Sequence, residues 1–411
     1  MKISIDPVIS SRIKDAWGKL SPAQQAELAP AILQANQQAV TVAQTRRAPA
    51  GEAAPHHLIL AHSALTNDSD GVLDNLEAGV VVDVGPDGVI WGTGKFQQLD
   101  PGWAEAFAVF LESLIAGKHD FMADPATVPI PDLVQIGLAG DWGTGNWRTA
   151  SNPAPSTDVA SHMDLLRTDV TIHLGDVYYA GTADQELHQL VKLWPKGIIG
   201  SLALNSNHEM YSGAKPYFDA IAGPPFGLQI GCSYFAMENA HWVIVGLDSA
   251  YFSSEGGLYM DGSLNPTGGS AQEQFLRAQV AKGKKIIMLT HHNGLSDDGS
   301  GTTNLWSQVM SVFPTNGGPT YWYWGHKHMA AVYKVQTNGV LCRCCGHGGL
   351  PWGQASELAN NANVEWYETR PANDPDIPER VFNGFTILSL DGPNIRETFY
   401  DENGGVAWQH P

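Results

Sequence analysis

Five short polar motifs, each directly after a run of apolar residues, constrain this chain more than any other feature. In chain order they are GDWG, GDVYY, SNHE, THH and GHKH, and they contain Asp141, Asp176, Asn207, His291 and His326. The apolar runs predict β-strands, with helical segments between some of them. Because open α/β folds carry functional residues on the loops after their strands, we expect these motifs to form a functional site.

The residue types in the motifs are those of a site for two metal ions. Carboxylates bridge hard cations, neutral imidazoles bind borderline ones, and an amide oxygen is a neutral ligand. His326 and His328 are separated by one residue, so an extended segment would point both in the same direction. A lone pair of this kind is more often a surface or core feature than a ligand set. Five motifs in one order, each after its own strand, predict a dinuclear metal site.

The excess of acidic over basic residues limits the kinds of molecule that the protein is expected to bind. The 411 residues include 23 Lys and Arg against 42 Asp and Glu, which gives a net charge of −19. A surface with this balance repels nucleic acid, so we expect a small-molecule partner instead. We find neither a secretory signal nor an apolar run long enough to cross a bilayer, and therefore expect no membrane partner and a cytoplasmic location. The sequence does not reveal the oligomeric state.

The sequence pattern of the chain changes near residue 125. Residues 1–125 are interpreted as an N-terminal helical and β extension of unknown role, and residues 130–411 as the domain that carries the motifs. In the extension, Ser21 and Pro22 predict the start of a helix that Pro30 breaks or kinks. VVVDVG and GVIWGTG predict a strand pair, and GWAEAFAVFLESLIAG predicts a helix. Later predicted strands are VQIGLAG, DVTIHLG, IGSLALN, HWVIVGL, KKIIMLT, PTYWYWG and GVLCRCC, with NGFTILSLDG and NIRETFYD as a closing hairpin.

The order GD, GDxxY, NHE, H and GHxH resembles the calcineurin-like metallophosphoesterases, and within them the purple acid phosphatases. Most of that superfamily has a histidine in the first motif, whereas here Trp142 and Gly143 follow Asp141. The purple acid phosphatases use instead a tyrosine three residues after the second motif's aspartate, which is Tyr179 in this chain. The resemblance implies an α/β fold, a four-layer α/β/β/α sandwich of two mixed sheets flanked by helices.

The same resemblance implies a set of metal ligands and the metals they bind. One ion would take Asp141, Tyr179 and His328, the other would take Asn207, His291 and His326, and Asp176 would bridge them. A ferric ion is expected on the tyrosinate side, with Fe, Zn or Mn in the divalent state on the other.

Mechanistic roles follow for residues beside the ligands. Two metal ions generate a bridging hydroxide nucleophile near neutral pH, but they do not protonate the leaving oxygen well. His208, directly after Asn207, is the candidate general acid, and Asp176 is catalytic as the bridging ligand. His292, Asn146, Asn207 and His347 are candidate substrate contacts, and His292 is also a candidate catalytic residue. For His292, Asn146 and His347 a purely structural role remains an alternative.

The expected function is metal-dependent hydrolysis of small phosphate esters, with phosphomonoesterase ahead of phosphodiesterase. No group of Lys or Arg near the motifs would recognise a polyphosphate chain, which favours a monoester or a small diester. Two other classes stay open. One is a catalytically silent metal-binding member of the fold, and the other is a hydrolase that uses the same metals on a non-phosphate bond.

Overall fold

The structure is a computed structural model that describes residues 3–66, 71–264 and 270–410. The helices are α1 Pro7–Trp17, α2 Pro22–Thr45, α3 Ala61–Thr66, α4 Val72–Asn75, α5 Trp103–Ala116, α6 Pro155–Leu166, α7 Ala183–Gln185, α8 Asn207–Tyr211, α9 Lys215–Ile221, α10 Ala271–Val280 and α11 Asn304–Met310. The strands are β1 Val81–Val84, β2 Ile90–Gly92, β3 Thr127–Pro129, β4 Leu133–Ala139, β5 Val170–His173, β6 Gly200–Ala203, β7 Phe235–Glu238, β8 Trp242–Gly246, β9 Lys285–Thr290, β10 Tyr321–Trp324, β11 Ala330–Tyr333, β12 Leu341–Cys345, β13 Val364–Tyr367, β14 Gly384–Asp391, β15 Asn394–Asp401 and β16 Val406–His410. Within these described ranges, no helix is both long and apolar enough to cross a membrane.

Two large mixed sheets form the body of the molecule. The eight-stranded sheet has the order β13-β11-β12-β10-β9-β8-β7-β3, and the six-stranded sheet has the order β16-β15-β14-β4-β5-β6. In the first, β8, β9, β10 and β12 run parallel, while in the second, β4, β5 and β6 do so. The remaining pairs are antiparallel, apart from β3 with β7. The predicted fold class is confirmed.

Successive side chains of a strand point alternately into two hydrophobic cores. One core lies between the two sheets, and the other lies outside them. On β8, Ile244 belongs to the core that also contains Ile136 and Ile172 of the six-stranded sheet. Its neighbours Val243 and Val245 belong instead to a core shared with α10 and α11. Because successive strand side chains point to opposite faces, a buried sheet with helices outside needs apolar residues at every position. The sequences of these strands are accordingly continuous apolar runs.

The N-terminal region packs against the rest of the chain through a third core. That core joins Leu28 of α2 and Phe107 of α5 to Val159 of α6. Helix α2 begins as predicted, with a capping box between Ser21 and Gln24, but it continues through Pro30, so the predicted break is wrong. Burial of the apolar face on both sides of the proline stabilises the helix there, since tertiary packing supplies most helical stability. The predicted pairing of β1 with β2 and the predicted α5 are confirmed. The division of the chain near residues 125–130 stays a prediction.

Candidate metal centre

The five polar motifs come together at the carboxyl ends of strands from both sheets. Asp141, Asp176 and Asn207 follow β4, β5 and β6 of the six-stranded sheet. His291 and His326 follow β9 and β10 of the eight-stranded sheet. All five side chains are nearly or fully buried. The strand-end pattern in the sequence therefore corresponds to one site, formed where the carboxyl ends of strands from the two sheets come together.

One half of the site consists of Asp141, His328 and Tyr178. The Oδ1 atom of Asp141 lies 3.3 Å from Nε2 of His328. The hydroxyl of Tyr178 lies 3.2 Å from the same nitrogen and 3.4 Å from Asp141 Oδ1. The three polar atoms thus converge on a point that a cation could occupy.

The other half consists of Asn207, His291 and His326. The amide oxygen of Asn207 lies 2.9 Å from Nε2 of His291 and 3.1 Å from Nδ1 of His326. The second ring nitrogen of His291 contacts the carbonyl oxygen of Leu174 at 2.8 Å, which fixes the orientation of the ring. A hydrogen bond of this kind commonly orients a metal-binding histidine and leaves its other nitrogen free for the ion.

Asp176 lies between the two halves. Its Oδ1 is 3.3 Å from Nε2 of His291, and its Oδ2 is 2.9 Å from the hydroxyl of Tyr178 and 4.0 Å from Nε2 of His328. Each carboxylate oxygen therefore faces one half of the site. This is the arrangement needed for a ligand that joins two neighbouring cations.

The backbone around the motifs allows this close approach. The N–H of His326 donates to Oδ2 of Asp141 at 2.8 Å, which links the first motif to the last. A Cβ atom on Gly325 would lie 2.6 Å from the same oxygen, so only glycine fits before His326. Asp141, Asp176 and His326 all have φ in the left-handed region, at 56°, 78° and 67°. The strain of these positions is of the kind that clusters at functional sites.

The electrostatics of the site fit bound cations. Burial and the neighbouring Asp176 raise the pKa of Asp141 well above its usual range. Burial alone would raise the pKa of Asp176 as well, but His208 and His291 hold it well below that range. Burial also lowers the pKa of His326 and His328, so both rings are neutral. Two buried carboxylates surrounded by neutral imidazoles and an amide oxygen form a donor set that divalent and trivalent metals favour.

Among the described residues, two sets of three potential ligand atoms are compact enough to hold an ion. In each set the ligand atoms lie within 4.8 Å of one another, and the sets are Asp141, Asp176 and His291, and His291, His292 and His326. The first set joins residues of both halves of the site, whereas in the second set both ring nitrogens of His292 have other partners.

The expectation that Tyr179 belongs to the ligand set needs correction, because the structure places Tyr178 there. The hydroxyl of Tyr179 donates to Oδ2 of Asp100 at 2.6 Å, and its ring packs edge-on against Trp103. Lys95 lies 4.2 Å from the centre of the same ring. These partners come from the N-terminal region, and they contact the hydroxyl and the ring of Tyr179. Spacing within the motif could not distinguish two adjacent tyrosines.

His208 has the position predicted for a proton donor, although its role stays a prediction. Its Nδ1 lies 2.7 Å from the carbonyl oxygen of Tyr179, so this nitrogen carries the hydrogen. Its Nε2 points towards the metal centre, 3.9 Å from Oδ2 of Asp176. The ring lines the cavity that opens over the site and packs edge-on against Tyr178.

His292 does not reach that cavity. Its Nδ1 is 2.9 Å from the hydroxyl of Ser249, and its Nε2 is 2.8 Å from the carbonyl oxygen of Tyr259. Because both ring nitrogens are already used, the structure contradicts the expectation that His292 contacts substrate or acts in catalysis. Its ring, which packs 4.6 Å from that of His326, supports a ligand instead.

Two further expected substrate contacts do not line the cavity over the metal centre. The amide oxygen of Asn146 accepts hydrogen bonds from the backbone N–H groups of Arg148 and Ala154, so the residue shapes its own loop. His347 stacks on Phe399. A role of either residue in substrate binding stays a prediction.

The N-terminal region supplies residues to the lining of the cavity that the sequence interpretation missed. Residues 52–57, Asp87, Val89 and Gln98 line the cavity opposite Asp176, Asn207 and His208. The imidazole of His56 stacks between the ring of Trp103, at 4.7 Å, and that of His328, at 5.5 Å. The HH pair at residues 56–57 was the one local signal of this role, since these residues follow no predicted strand.

The chain is similar to several solved structures that are distant from it in sequence. They include GAP50, described as the anchor in the inner membrane complex of Plasmodium, at 13% identity and a TM-score of 0.48 over 68% of this chain and 88% of that one. A dimetal phosphatase from Danio rerio shares 14% identity, with a TM-score of 0.41 over 68% of this chain and 96% of that one. A predicted phosphoesterase from Streptococcus pneumoniae shares 12% identity, with a TM-score of 0.27 over the same shares of the two chains.

The sequence itself matches a described family over the segment that contains all five motifs. No curated protein matches the chain. The family of calcineurin-like phosphoesterases matches residues 134–330, from β4 to the start of β11. This segment contains every residue of the two halves of the site. Residues 134–330 are therefore similar in sequence to the calcineurin-like phosphoesterases.

Proposed function

We propose that this protein hydrolyses phosphate monoesters with a pair of metal ions bound in the two halves of the site. The observation that carries the proposal is the position of Asp176, whose two carboxylate oxygens face His291 on one side and Tyr178 and His328 on the other. A metal-dependent hydrolase of phosphate esters agrees with the family that residues 134–330 match.

The proposed ligand set follows the two halves. Asp141, Tyr178 and His328 would hold one ion, Asn207, His291 and His326 the other, with Asp176 shared. A ferric ion on the tyrosine side with Fe, Zn or Mn in the divalent state on the other is part of the proposal, since tyrosinate favours the more highly charged ion. When bound, such a pair supplies a water of lowered pKa and neutralises charge on the phosphoryl oxygens.

His208 is the proposed general acid. The carbonyl oxygen of Tyr179 accepts the hydrogen on Nδ1, which leaves Nε2 directed into the cavity. A proton on Nε2 can then pass to the leaving oxygen of the substrate. General acids in such positions typically contribute about 10²- to 10⁴-fold to the rate.

The lining of the cavity favours small monoesters over substrates with a polyphosphate chain. Among the described residues that line it, Lys327 is the one Lys or Arg side chain. Its ammonium is 3.2 Å from both Glu52 Oε1 and Asp297 Oδ2, so it is already paired. Recognition of further phosphate groups normally needs free Arg or Lys donors.

The test combines metal analysis with a comparison of two substrates. Protein purified without chelator should hold about two metal ions per chain and hydrolyse p-nitrophenyl phosphate faster than bis-p-nitrophenyl phosphate. Asp176→Asn should lose metal and both activities, whereas the control Asp391→Asn, at an exposed position on β14, should retain them. Faster cleavage of the diester would make the protein a phosphodiesterase. Full metal loading without cleavage of either ester would overturn the proposal.

A further inference from the structure

The cavity over the metal centre has an acidic end away from the metal ligands. Four carboxylates line this part of the cavity, those of Glu52, Asp87, Asp297 and Glu357. Burial and the neighbouring Asp297 raise the pKa of Asp87, and burial with Asp87 and Asp297 raises that of Glu357. These side chains are therefore close enough to repel one another.

The single ammonium in the lining does not balance these charges. Lys327 forms its ion pairs with Glu52 and Asp297, and it acts on Glu357 only at longer range, so neither Asp87 nor Glu357 forms an ion pair with a described lining residue. Asp87 is partly buried, so its charge is costly unless an opposite charge joins it. A ligand that brings a positive charge would relieve the repulsion.

A buried amide also lines the cavity. Gln98 is 1% exposed, and its Oε1 atom makes no short hydrogen bond among the described residues, although its side chain interacts with that of His56. Its Nε2 donates to the carbonyl oxygen of Ala54 at 2.6 Å, which fixes the orientation of the amide. The Oε1 atom can therefore accept a hydrogen bond from a donor group of the ligand.

An aromatic wall joins the acidic end to the metal centre. The ring of Trp352 lies 4.6 Å from that of His328 and 6.3 Å from that of His56. Its indole N–H donates to the carbonyl oxygen of Asp87 at 3.0 Å. Trp352 therefore contacts both a proposed metal ligand, His328, and the backbone of Asp87, and it lines the cavity together with Asp87 and Glu357. An indole beside carboxylates is a favourable surface for an organic cation.

We propose that the cavity selects phosphate monoesters whose leaving alcohol carries an ammonium group, held beside Trp352 by the carboxylates of Asp87 and Glu357. The inference rests on the proposed phosphatase function and adds its substrate class. In the reaction, water oxygen bonds to phosphorus, the bond from phosphorus to the alcohol oxygen breaks, and that oxygen takes a proton. The products are inorganic phosphate and the cationic alcohol.

A pair of substrates of equal shape tests the role of charge. Choline phosphate carries a quaternary ammonium, whereas neohexyl phosphate has carbon in place of that nitrogen and is otherwise the same size. We expect kcat/KM for choline phosphate to exceed that for neohexyl phosphate by about tenfold or more. Ethanolamine phosphate should also be preferred over its uncharged analogue propyl phosphate.

Variants of Asp87 and Glu357 test whether these carboxylates cause the preference for a positively charged leaving alcohol. In Asp87→Asn with Glu357→Gln, the ratio of the two kcat/KM values should fall to about one, because both side chains keep their shape and lose their charge. Asparagine at 87 also keeps the oxygen that accepts the N–H of Val89. Glu357→Gln alone, at an exposed position, should lower the ratio partway. The matched control Glu365→Gln, at an exposed position on β13 outside the cavity, should leave the ratio at the wild-type value.

Binding of free choline gives a readout that does not need turnover. Saturation-transfer NMR should detect choline on the wild-type protein, more weakly on the Asp87→Asn with Glu357→Gln variant, and should detect little binding of neohexyl alcohol. Equal kcat/KM for choline and neohexyl phosphates would overturn this inference and leave the proposed phosphatase function intact. Failure to cleave any ester despite bound metal would overturn the proposed function, and the choline binding experiment would still decide whether the cavity holds a cation.

Discussion

The hydroxyl of Tyr178 lies 2.9 Å from Oδ2 of Asp176, while the adjacent Tyr179 points the other way and donates to Asp100. Burial, together with Asp176 and Asp141, raises the pKa of Tyr178 well above its usual range. Deprotonation of this hydroxyl therefore requires a strong positive charge beside it. A bound metal ion is the charge that the proposed mechanism provides.

Exchange of each tyrosine for phenylalanine should separate their roles. If the site holds iron, the wild-type protein should have a visible tyrosinate-to-iron absorption band, which Tyr178→Phe should lose and Tyr179→Phe should retain. Visible spectra with metal analysis on both variants check this. A band lost in Tyr179→Phe alone would instead assign the ligand to Tyr179.

Replacement of His208 should affect substrates according to their leaving group. His208→Asn should lower kcat for alkyl phosphates by about 10²- to 10⁴-fold, because a basic alkoxide needs a proton to leave. For p-nitrophenyl phosphate the loss should be much smaller, since p-nitrophenolate leaves readily without one. Steady-state kinetics on both substrates, with metal content measured in parallel, make the comparison. Equal losses on both would mean that His208 does not donate the proton.

Glu186 should make the stability of the protein depend on pH. This side chain is 2% exposed, neither of its carboxylate oxygens has a hydrogen-bond partner among the described residues, and burial raises its pKa to about 8. The unfolded chain releases this proton near the ordinary pKa of 4.5, but the folded chain keeps it until about 8. Stability is therefore lost as pH rises across that interval.

Glu186→Gln removes this titration, so its stabilising effect should grow with pH. We expect a difference in Tm that is small near pH 4.5 and reaches at least about 2 °C near pH 8. Thermal unfolding at several pH values measures it, with Glu365→Gln as an exposed control. A constant difference across the range would show that Glu186 does not carry a raised pKa.

Replacement of one partner in the buried ion pair of Arg343 and Glu397 should strongly lower the free energy of unfolding. The guanidinium contacts the carboxylate twice, at 2.7 and 2.9 Å, and the two side chains are 1% and 0% exposed. Arg343→Met leaves a buried carboxylate without its cation and should cost about 3–5 kcal/mol in the free energy of unfolding. Chemical denaturation provides the measurement.

Two comparisons define that effect. The double variant Arg343→Met with Glu397→Leu should recover much of the loss, because no buried charge remains. Lys282→Met, which breaks a pair with Glu238 near the surface, should cost less than about 1 kcal/mol. A similar cost for the two single variants would contradict the importance of burial.

Much of the central architecture could be predicted because its strands are continuous apolar runs. The seven strands predicted after residue 132 are present, as is the closing hairpin of β14 and β15. Short strands such as β7, β11, β13 and β16 were missed. Strands β5, β6 and β10 are as short, but each of them precedes one of the polar motifs, whereas the missed strands do not, and the pairing of the missed strands depends on partners far away in the chain.

The sequence alone determined the fold class and the residue types of the site, since strand periodicity and the motifs after each strand are local properties. Tertiary structure decided which neighbouring side chain turns inwards. The hydroxyl of Tyr179 donates to Asp100, so Tyr178 lies beside Asp176 instead. Ser249 and Tyr259 contact the two ring nitrogens of His292. It also decided that residues 52–57 cover the metal centre. These contacts join residues far apart in the chain, so their hydrogen bonds and packing exist only once the chain has folded.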